Sequence, residues 1–178
     1  MDRIFYESNY FEDAEVAMLL KTLKKTTISN INVQLAQLHH IEPIFQLESD
    51  SFQGNGFPYF FFRQAFDCMG DFFIIAELEG HLVGYALGTL QVERHDAWVL
   101  GIAVSEKVRH RGVASIMLQK LLSLFKRKGA KCTMLHVSPN NEPAIILYAK
   151  HGFVEIRQEE NYFGAGQTRA LMRMNFVI

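Results

Sequence analysis

Residues 107–115 read KVRHRGVAS, and this short stretch is the starting point for predicting the fold of the chain. Three cations, Lys107, Arg109 and Arg111, lie close together, although the chain of 178 residues has a formal net charge of only −1. Small residues follow at once in Gly112-Val113-Ala114-Ser115. Cations beside small residues are typical of a turn that holds an anion close to its backbone N–H groups. The stretch therefore predicts a site for a phosphate-bearing ligand.

The segments on either side of this turn have different patterns. Residues 97–104 (AWVLGIAV) predict a strand, and residues 114–128 carry apolar side chains at helical spacing, with Gly129 suited to end the helix. The first N–H groups of such a helix lack intrahelical partners, and they lie at the positive end of the helix dipole. Both properties favour the binding of an anion. The phosphate-binding patterns GxxxxGKS/T and GxGxxG are both absent.

The remaining segments predict a mixed α/β domain. Further strands are expected at 31–35, 72–79, 82–93, 132–138, 153–161 and 168–177, and further helices at 39–52, 59–70 and 143–151. A tight turn at Gly80-His81 is expected to join two of the strands as the start of an antiparallel meander. The order β-α-α-β-β-β-α-β-α-β-β is typical of a sheet with helices on both faces.

Residues 1–30 are interpreted as an N-terminal extension. Apolar residues from Ala14 to Leu23 recur at helical spacing, with acids before them and Lys24 and Lys25 after them, which predicts a helix. Residues 31–178 are then long enough for one domain with a real core.

The composition excludes several classes of function. A nearly neutral balance with 21% charged residues argues against a general nucleic-acid or membrane-surface binder. The two cysteines, Cys68 and Cys132, lack CxxC spacing, so neither a disulfide framework nor a metal site is expected. The first residues contain no apolar signal region, and no run of 18 apolar residues occurs, which predicts a soluble, cytoplasmic protein.

Two ordered motifs give the chain a resemblance to a known family. Arg109-His110-Arg111-Gly112-Val113-Ala114 matches R/Q-x-x-G-x-G/A, and Asn141-x-x-Ala144-x-x-Leu147-Tyr148-x-x-x-Gly152-Phe153 matches N-x-x-A-x-x-L-Y-x-x-x-G-F. Both motifs are typical of the GNAT superfamily of N-acetyltransferases, which the chain resembles over about residues 31–177. The resemblance implies a mixed, mostly antiparallel sheet of about seven strands. It also implies direct acetyl transfer from acetyl-CoA to a primary amine in a ternary complex.

The same resemblance implies which residues hold the cofactor. The pantetheine arm is expected along the backbone of Ile102, Ala103 and Val104, with the Val104 amide as the donor to the oxyanion. The pyrophosphate is expected at the first motif and Ser115. The complete set of implied cofactor contacts is Ile102, Ala103, Val104, Arg109, His110, Arg111, Gly112, Val113, Ala114, Ser115, Asn141, Ala144 and Tyr148.

Two side chains are candidates for proton transfer. The resemblance implies that Tyr148 protonates the departing thiolate, and a phenol with a pKa of about 10 is a suitable donor. Residues 135–141 read LHVSPNN where relatives of the ribosomal-protein-alanine type show L-E-V-R-x-S-N, so His136 replaces a glutamate. An imidazole with a reference pKa of about 6.5 can take the amine's proton, directly or through a water. A structural histidine on a central strand is the alternative.

The acceptor is less strongly indicated than the donor. Phe57-Pro58-Tyr59 and the Tyr162 turn resemble features of the protein N-terminal acetyltransferases, of the ribosomal-protein-alanine type and their archaeal relatives. This likeness implies that Phe57, Tyr59 and Tyr162 contact a peptide or protein α-amine. A small amine is the alternative, and a polyamine would need acids such as Glu48, Asp50 and Glu93. A non-catalytic acyl-CoA sensor is the alternative of another class. No nucleic-acid or membrane partner is expected, and the chain is predicted to be a monomer or homodimer.

Overall fold

Seven strands form one sheet in the order β1-β2-β3-β4-β5-β7-β6. A computed structural model describes residues 30–53 and 55–177, and the helix predicted for the N-terminal extension lies outside them. The strands are β1 (Ile31–Leu35), β2 (Phe73–Leu78), β3 (His81–Gln91), β4 (Asp96–Val104), β5 (Cys132–Val137), β6 (Val154–Glu159) and β7 (Arg169–Asn175). The helices are α1 (Ile41–Phe52), α2 (Tyr59–Met69), α3 (Val113–Arg127) and α4 (Glu142–Lys150).

The predicted order of strands and helices from residue 31 onward is confirmed. The turn between β2 and β3 lies one residue earlier than predicted, at Glu79-Gly80 and not at Gly80-His81, because Leu78 pairs with His81. Both turn residues have positive φ, 53° for Glu79 and 78° for Gly80. A two-residue hairpin turn of this kind needs positive φ at both central positions, and glycine adopts it without steric cost.

The sheet is antiparallel except for one pair of strands. β4 and β5 run parallel, and their pairing extends from Asp96 with Cys132 to Val99 with Leu135. On the other side of β4, Leu87 pairs with Gly101 and Gly88 pairs with Val99, so one extra residue, Leu100, forms a β-bulge. A bulge bends its strand and increases its twist. β4 therefore diverges from β5 beyond Val99, and a gap opens in the sheet.

Helices cover both faces of the sheet, as predicted. The four buried residues at the start of β2 alternate between the two layers: Ile74 and Ala76 pack in the cluster with α3 and α4, while Phe73 and Ile75 pack with α1 and α2. Strands buried on both faces read as continuous apolar runs. Burial of each large apolar side chain contributes about 1.5–3 kcal/mol, so both helical layers hold the sheet.

Helix α3 lies very close to the sheet, and a glycine makes this possible. A Cβ added to Gly88 would lie 2.5 Å from Cζ of Phe125 and 2.7 Å from the Trp98 carbonyl oxygen. Any side chain at this position would push the helix away. The close approach lets α3 bury its apolar stripe of Val113, Met117, Leu118, Leu121, Leu122 and Phe125. The packing fixes the first turn of α3 beside the divergent end of β4.

Candidate active site

A cleft of about 760 Å³ opens where β4 leaves β5. Its walls come from α1, residues 55–57, the second half of β4, the end of β5, the start of α4 and the loop between β6 and β7. A cleft of this size is typical of a site for a small molecule or a cofactor.

Among the described residues, the edge of β4 that faces the gap has no strand partner beyond Val99. The Ser105 N–H donates to the Val83 carbonyl at 2.9 Å, so it is directed at β3. Because backbone groups alternate along a strand, the N–H groups of Ile102 and Val104 are directed at the gap. Ile102 also lines the cleft, whereas the Ala103 side chain is buried in the layer with α1 and α2. Two backbone donors of β4 are therefore directed at the gap, one from Ile102, which lines the cleft, and one from Val104, which is not among its lining residues.

The start of α3 is a second group of free backbone donors. Gly112 caps the helix at φ 83° without a side-chain hydrogen bond, and His110 before it has φ 62°. The first intrahelical bond runs from the Ile116 N–H to the Gly112 carbonyl at 3.1 Å. The N–H groups of residues 113–115 consequently have no intrahelical acceptor, and the helix dipole adds about half a positive charge there. This geometry suits an anion.

The cations of the turn do not all serve the same purpose. Arg109 folds back on the turn: its Nε donates to the Val104 carbonyl at 3.1 Å and its Nη1 to Glu106 at 2.9 Å. Lys107 and Arg111 are exposed, and neither takes part in an ion pair within residues 30–53 and 55–177. Arg109 thus fixes the turn, while Lys107 and Arg111 remain available to a ligand.

Helix α4 brings the second motif to the cleft. Asn141 Oδ1 accepts a hydrogen bond from the Ala144 N–H at 3.2 Å and so caps the helix, and Asn141, Ala144 and Tyr148 all line the cleft. Burial raises the pKa of Tyr148 to about 12. The phenol is therefore protonated at any physiological pH.

A side-chain contact joins the two helices that carry the motifs. Ser115 Oγ, in the first turn of α3, lies 2.7 Å from Nε2 of His151, which follows the end of α4. Ser115 is thus a predicted cofactor contact whose side chain links the start of α3 to the end of α4.

His136 also lines the cleft, and its ring stacks with two aromatic rings. The ring centroids of Trp98 and Tyr162 are 5.5 Å and 3.7 Å from that of His136. Its Nε2 is 3.3 Å from Glu159 Oε2, although the contact lacks hydrogen-bond geometry. Burial lowers the pKa of His136, and Glu159 opposes that shift. The imidazole is neutral at pH 7 and able to accept a proton.

The three predicted acceptor residues lie in different surroundings. Phe57 lines the cleft and stacks on Phe61 with centroids 4.2 Å apart. Tyr162 stacks on His136, a residue of the cleft, but is not itself among the residues that line the cleft. Tyr59, by contrast, begins α2 and packs edge-on against Phe45 at 5.5 Å, away from the residues that line the cleft.

Two further side chains belong to the cleft, Tyr85, for which the sequence predicts no site role, and Glu48, which it indicates only as an acid that a polyamine would need. Glu48 on α1 is 2% exposed and lines the cleft. Its Oε2 accepts a hydrogen bond from the Tyr85 hydroxyl at 2.6 Å, and its Oε1 accepts one from the Phe57 N–H at 2.9 Å. Burial raises the pKa of Glu48, and both hydrogen bonds oppose that shift. One signal was present: Ile41, Ile44 and Glu48 share one stripe of the helix, so the acid interrupts an apolar face.

The part of the chain at residues 30–53 and 55–177 holds no group of three or more His, Cys, Asp or Glu side chains that is placed to bind a metal ion. None of its helices is both long and apolar enough to span a bilayer.

Comparison with known proteins identifies the class to which this fold and cleft belong. Residues 41–153 match the model of the acetyltransferase (GNAT) family. The chain is 31% identical over 154 residues to an N-alpha-acetyltransferase of Sulfolobus acidocaldarius, covering 80% of this chain and 91% of the relative. It is 25% identical over 139 residues to a putative ribosomal protein bS18-alanine N-acetyltransferase of Bacillus subtilis, covering 78% and 89%.

A solved structure gives the same result for the fold. The structure of Ard1 from Thermoplasma volcanium superimposes with a TM-score of 0.77 at 22% identity, covering 84% of this chain and 99% of that one. The protein belongs to the GNAT family and is an acetyl-CoA-dependent N-acetyltransferase.

Proposed function

We propose that this enzyme acetylates the N-terminal α-amine of a peptide or protein, by direct attack of the amine on the thioester of acetyl-CoA. The observation that carries the proposal is the match to an N-alpha-acetyltransferase over 91% of that relative's length. A cleft whose walls include Phe57 and the loop between β6 and β7 supports it, because an extended peptide has a surface to follow.

Acetyl-CoA supplies the activated acetyl group. The residues proposed to bind it, which we call the donor side, fit this cofactor. The free N–H groups at the start of α3, with Lys107 and Arg111, would hold the pyrophosphate. The Ile102 N–H would bind the pantetheine arm. The Val104 N–H would stabilise the negative charge that develops on the carbonyl oxygen, the role for which preorganised donors are most effective.

His136 is proposed as the base that takes the proton from the acceptor amine. A base must be unprotonated before it can act, and the lowered pKa of His136 keeps its ring neutral at pH 7. Trp98 and Tyr162 hold the plane of the ring, and Glu159 lies beside Nε2 to stabilise the imidazolium that forms.

Tyr148 is proposed as the donor to the departing sulfur. With a pKa of about 12, its phenol is a much weaker acid than a thiol of about 8.5. Complete proton transfer to the thiolate is then unfavourable by about 5 kcal/mol. A hydrogen bond from the phenol to the sulfur needs no such transfer, so Tyr148 stabilises the leaving group chiefly by that bond.

The alternative of a polyamine acceptor is less well supported. Of the three acids that such a site would need, Glu48 lines the cleft, whereas Glu93 follows β3 in an exposed turn and Asp50 accepts a hydrogen bond from Gln46 on the surface of α1. The single carboxylate of Glu48 in the cleft matches a ligand with a single ammonium group, such as a peptide N-terminus.

A thiol-release assay with acetyl-CoA tests the proposal. The acceptor panel contains peptides with free N-termini, the same peptides blocked at the N-terminus, polyamines and aminoglycosides, and mass spectrometry locates the acetyl group. Turnover of the free peptides, with acetyl on the α-amine, is the expected result. Turnover of a small amine alone would overturn the peptide proposal. Cofactor binding without turnover of any acceptor would favour the acyl-CoA sensor.

A further inference from the structure

We propose that Glu48 is the counter-ion that receives the protonated amine of the acceptor, and that Glu48 therefore determines the preference for an ammonium group in the cleft. The inference rests on the proposed α-amine acceptor and adds the residue that recognises it. His136 remains the proposed base, so the two residues have separate tasks.

The first observation is a buried carboxylate without a cation. Glu48 is 2% exposed, yet none of the ion pairs among residues 30–53 and 55–177 includes it. A buried charge without a partner is costly, by several kcal/mol after relaxation of the protein. The two groups that bond Glu48 are the neutral Tyr85 hydroxyl and the Phe57 N–H. A cation that enters with the substrate would complete this arrangement.

The second observation is that the carboxylate keeps acceptor capacity. An ionised carboxylate has about four lone-pair positions, two on each oxygen. Phe57 uses one position on Oε1 and Tyr85 uses one on Oε2, so each oxygen can accept one more hydrogen bond. An ammonium group carries three N–H donors and is able to fill both remaining positions.

The third observation is that Glu48 and both of its partners border the cleft next to the bulge of β4. A Cβ added to Gly101 would lie 3.2 Å from the Tyr85 hydroxyl oxygen and 3.3 Å from Cε2 of Phe57. The Gly101 backbone therefore lies close to both groups that bind Glu48, and Gly101 itself lines the cleft. Because Glu48, Tyr85 and Phe57 line this same cleft, a ligand group bound there lies beside the carboxylate and its two partners.

Other ionisable groups face the same cleft and must be considered in any pH experiment. They are Tyr85 on β3, His136 on β5, Tyr148 on α4 and Arg169 on β7. Burial raises the pKa of both tyrosines, so these two stay neutral. Protonated His136 would repel an ammonium group, and a pH series on Glu48 therefore requires a variant without this histidine.

The test measures binding of two ligands to two enzymes. Enzyme saturated with CoA, which has no acetyl group to transfer, is titrated by calorimetry with a peptide that is a substrate and with its desamino form. We expect the wild type to bind the amino form about tenfold more tightly, as for a desolvated charge pair worth about 1.4 kcal/mol. We expect Glu48→Gln to bind both forms within about twofold.

Tyr85→Phe is the matched control, because it removes one hydrogen bond from the carboxylate but keeps the charge. It should retain the preference for the amino form. The inference is overturned if Glu48→Gln keeps the tenfold preference, or if Tyr85→Phe loses it to the same extent. Thermal denaturation and CoA affinity establish that each variant is folded.

A pH series replaces the first test if Glu48→Gln does not fold. In the His136→Gln background, the preference should be present at neutral pH and lost on acidification, as Glu48 protonates at a pKa above its ordinary 4.5. A preference that stays constant would contradict the inference.

If no peptide is acetylated, the α-amine proposal fails and the same ligand pair is made from whichever amine of the panel turns over. If peptides are acetylated but Glu48→Gln has no effect, this inference alone fails.

Discussion

The proposed donor side and the proposed acceptor side are built in different ways. In the proposal, continuous chain from Gly101 to Ser115 provides the donor side, with backbone N–H groups on β4 and at the start of α3 as its main binding groups, and Gly101 and Ile102 of this segment line the cleft. The proposed acceptor side consists of side chains, Glu48, Phe57 and His136, which line the cleft and come from distant parts of the sequence. A backbone site depends on a few small residues in one place, whereas a side-chain site depends on tertiary packing. Variants should therefore separate cofactor binding from acceptor chemistry.

The largest effect is expected on the acceptor side, from His136→Gln. Loss of a general base lowers kcat by about 100-fold or more. The base acts when neutral, so wild-type kcat should fall as the pH drops through the pKa of His136, which burial lowers below 6.5. The variant should lose this acidic limb, while its affinity for acetyl-CoA, measured by calorimetry, stays unchanged. Persistence of the limb in kcat would exclude His136 as the base.

The next effect is expected on the donor side, from Gly112→Val. Valine strongly disfavours the φ of 83° at this position, so the turn should shift and misplace the N–H groups of α3. A lost hydrogen bond to a charged group weakens acetyl-CoA binding by about tenfold or more. Gly80→Val is the control, because Gly80 has φ 78° but lies in the turn between β2 and β3. If both variants lowered the affinity equally, general destabilisation would be the cause.

Tyr148 lies at the boundary between the two sides, and its effect should be smaller. Tyr148→Phe removes one hydrogen bond, worth about 0.5–1.5 kcal/mol, and should lower kcat by about three- to tenfold without changing the Kd of acetyl-CoA. Because the pKa of Tyr148 is about 12, its ionisation should cause no alkaline limb in wild-type kcat up to about pH 10. A variant with unchanged kcat would show that the phenol serves packing alone.

The smallest effects should distinguish the cations of the turn. Arg109→Gln loses the bond to the Val104 carbonyl, worth about 1 kcal/mol, and the Tm should fall by about 2–4 °C. Arg111→Gln should leave the Tm unchanged and weaken acetyl-CoA binding about two- to threefold at low salt, with a smaller effect at high salt. Equal changes in Tm for both variants would contradict these separate roles.

The sequence signals for the proposed donor side are local. The cations, the glycine turn and the spacing of α3 are adjacent in the chain and predicted a site for a phosphate-bearing ligand, whereas the resemblance that implied the fold and acetyl-CoA also needed the second motif at residues 141–153. The shift of the β2–β3 turn by one residue is an error of boundary only, since Gly80 was recognised as a turn residue. On this side the sequence did not reveal that Arg109 bonds to its own turn.

The acceptor side was predicted less completely because distance along the chain hides it. Glu48 and Tyr85 are separated by 37 residues, and no local pattern indicates that they bond. Phe57 and Tyr59 look equivalent in the sequence, yet the start of α2 at Tyr59 directs the second ring towards Phe45. The stacking of Tyr162 on His136 likewise depends on how the loop after β6 folds over the sheet.

The short parallel pairing of β4 with β5 also has a mechanical consequence. Within residues 30–53 and 55–177, the strands β5, β7 and β6 are joined to the rest of the sheet by the pairing of β5 with β4. This pairing involves only Asp96–Val99 of β4. This junction is the shortest strand pairing in the described sheet, and the cleft lies along its continuation. A cofactor with contacts on both β4 and α4 would bridge this junction. Donor binding should then stiffen the molecule as well as supply the acetyl group, and slower amide exchange in β5 would be its signature.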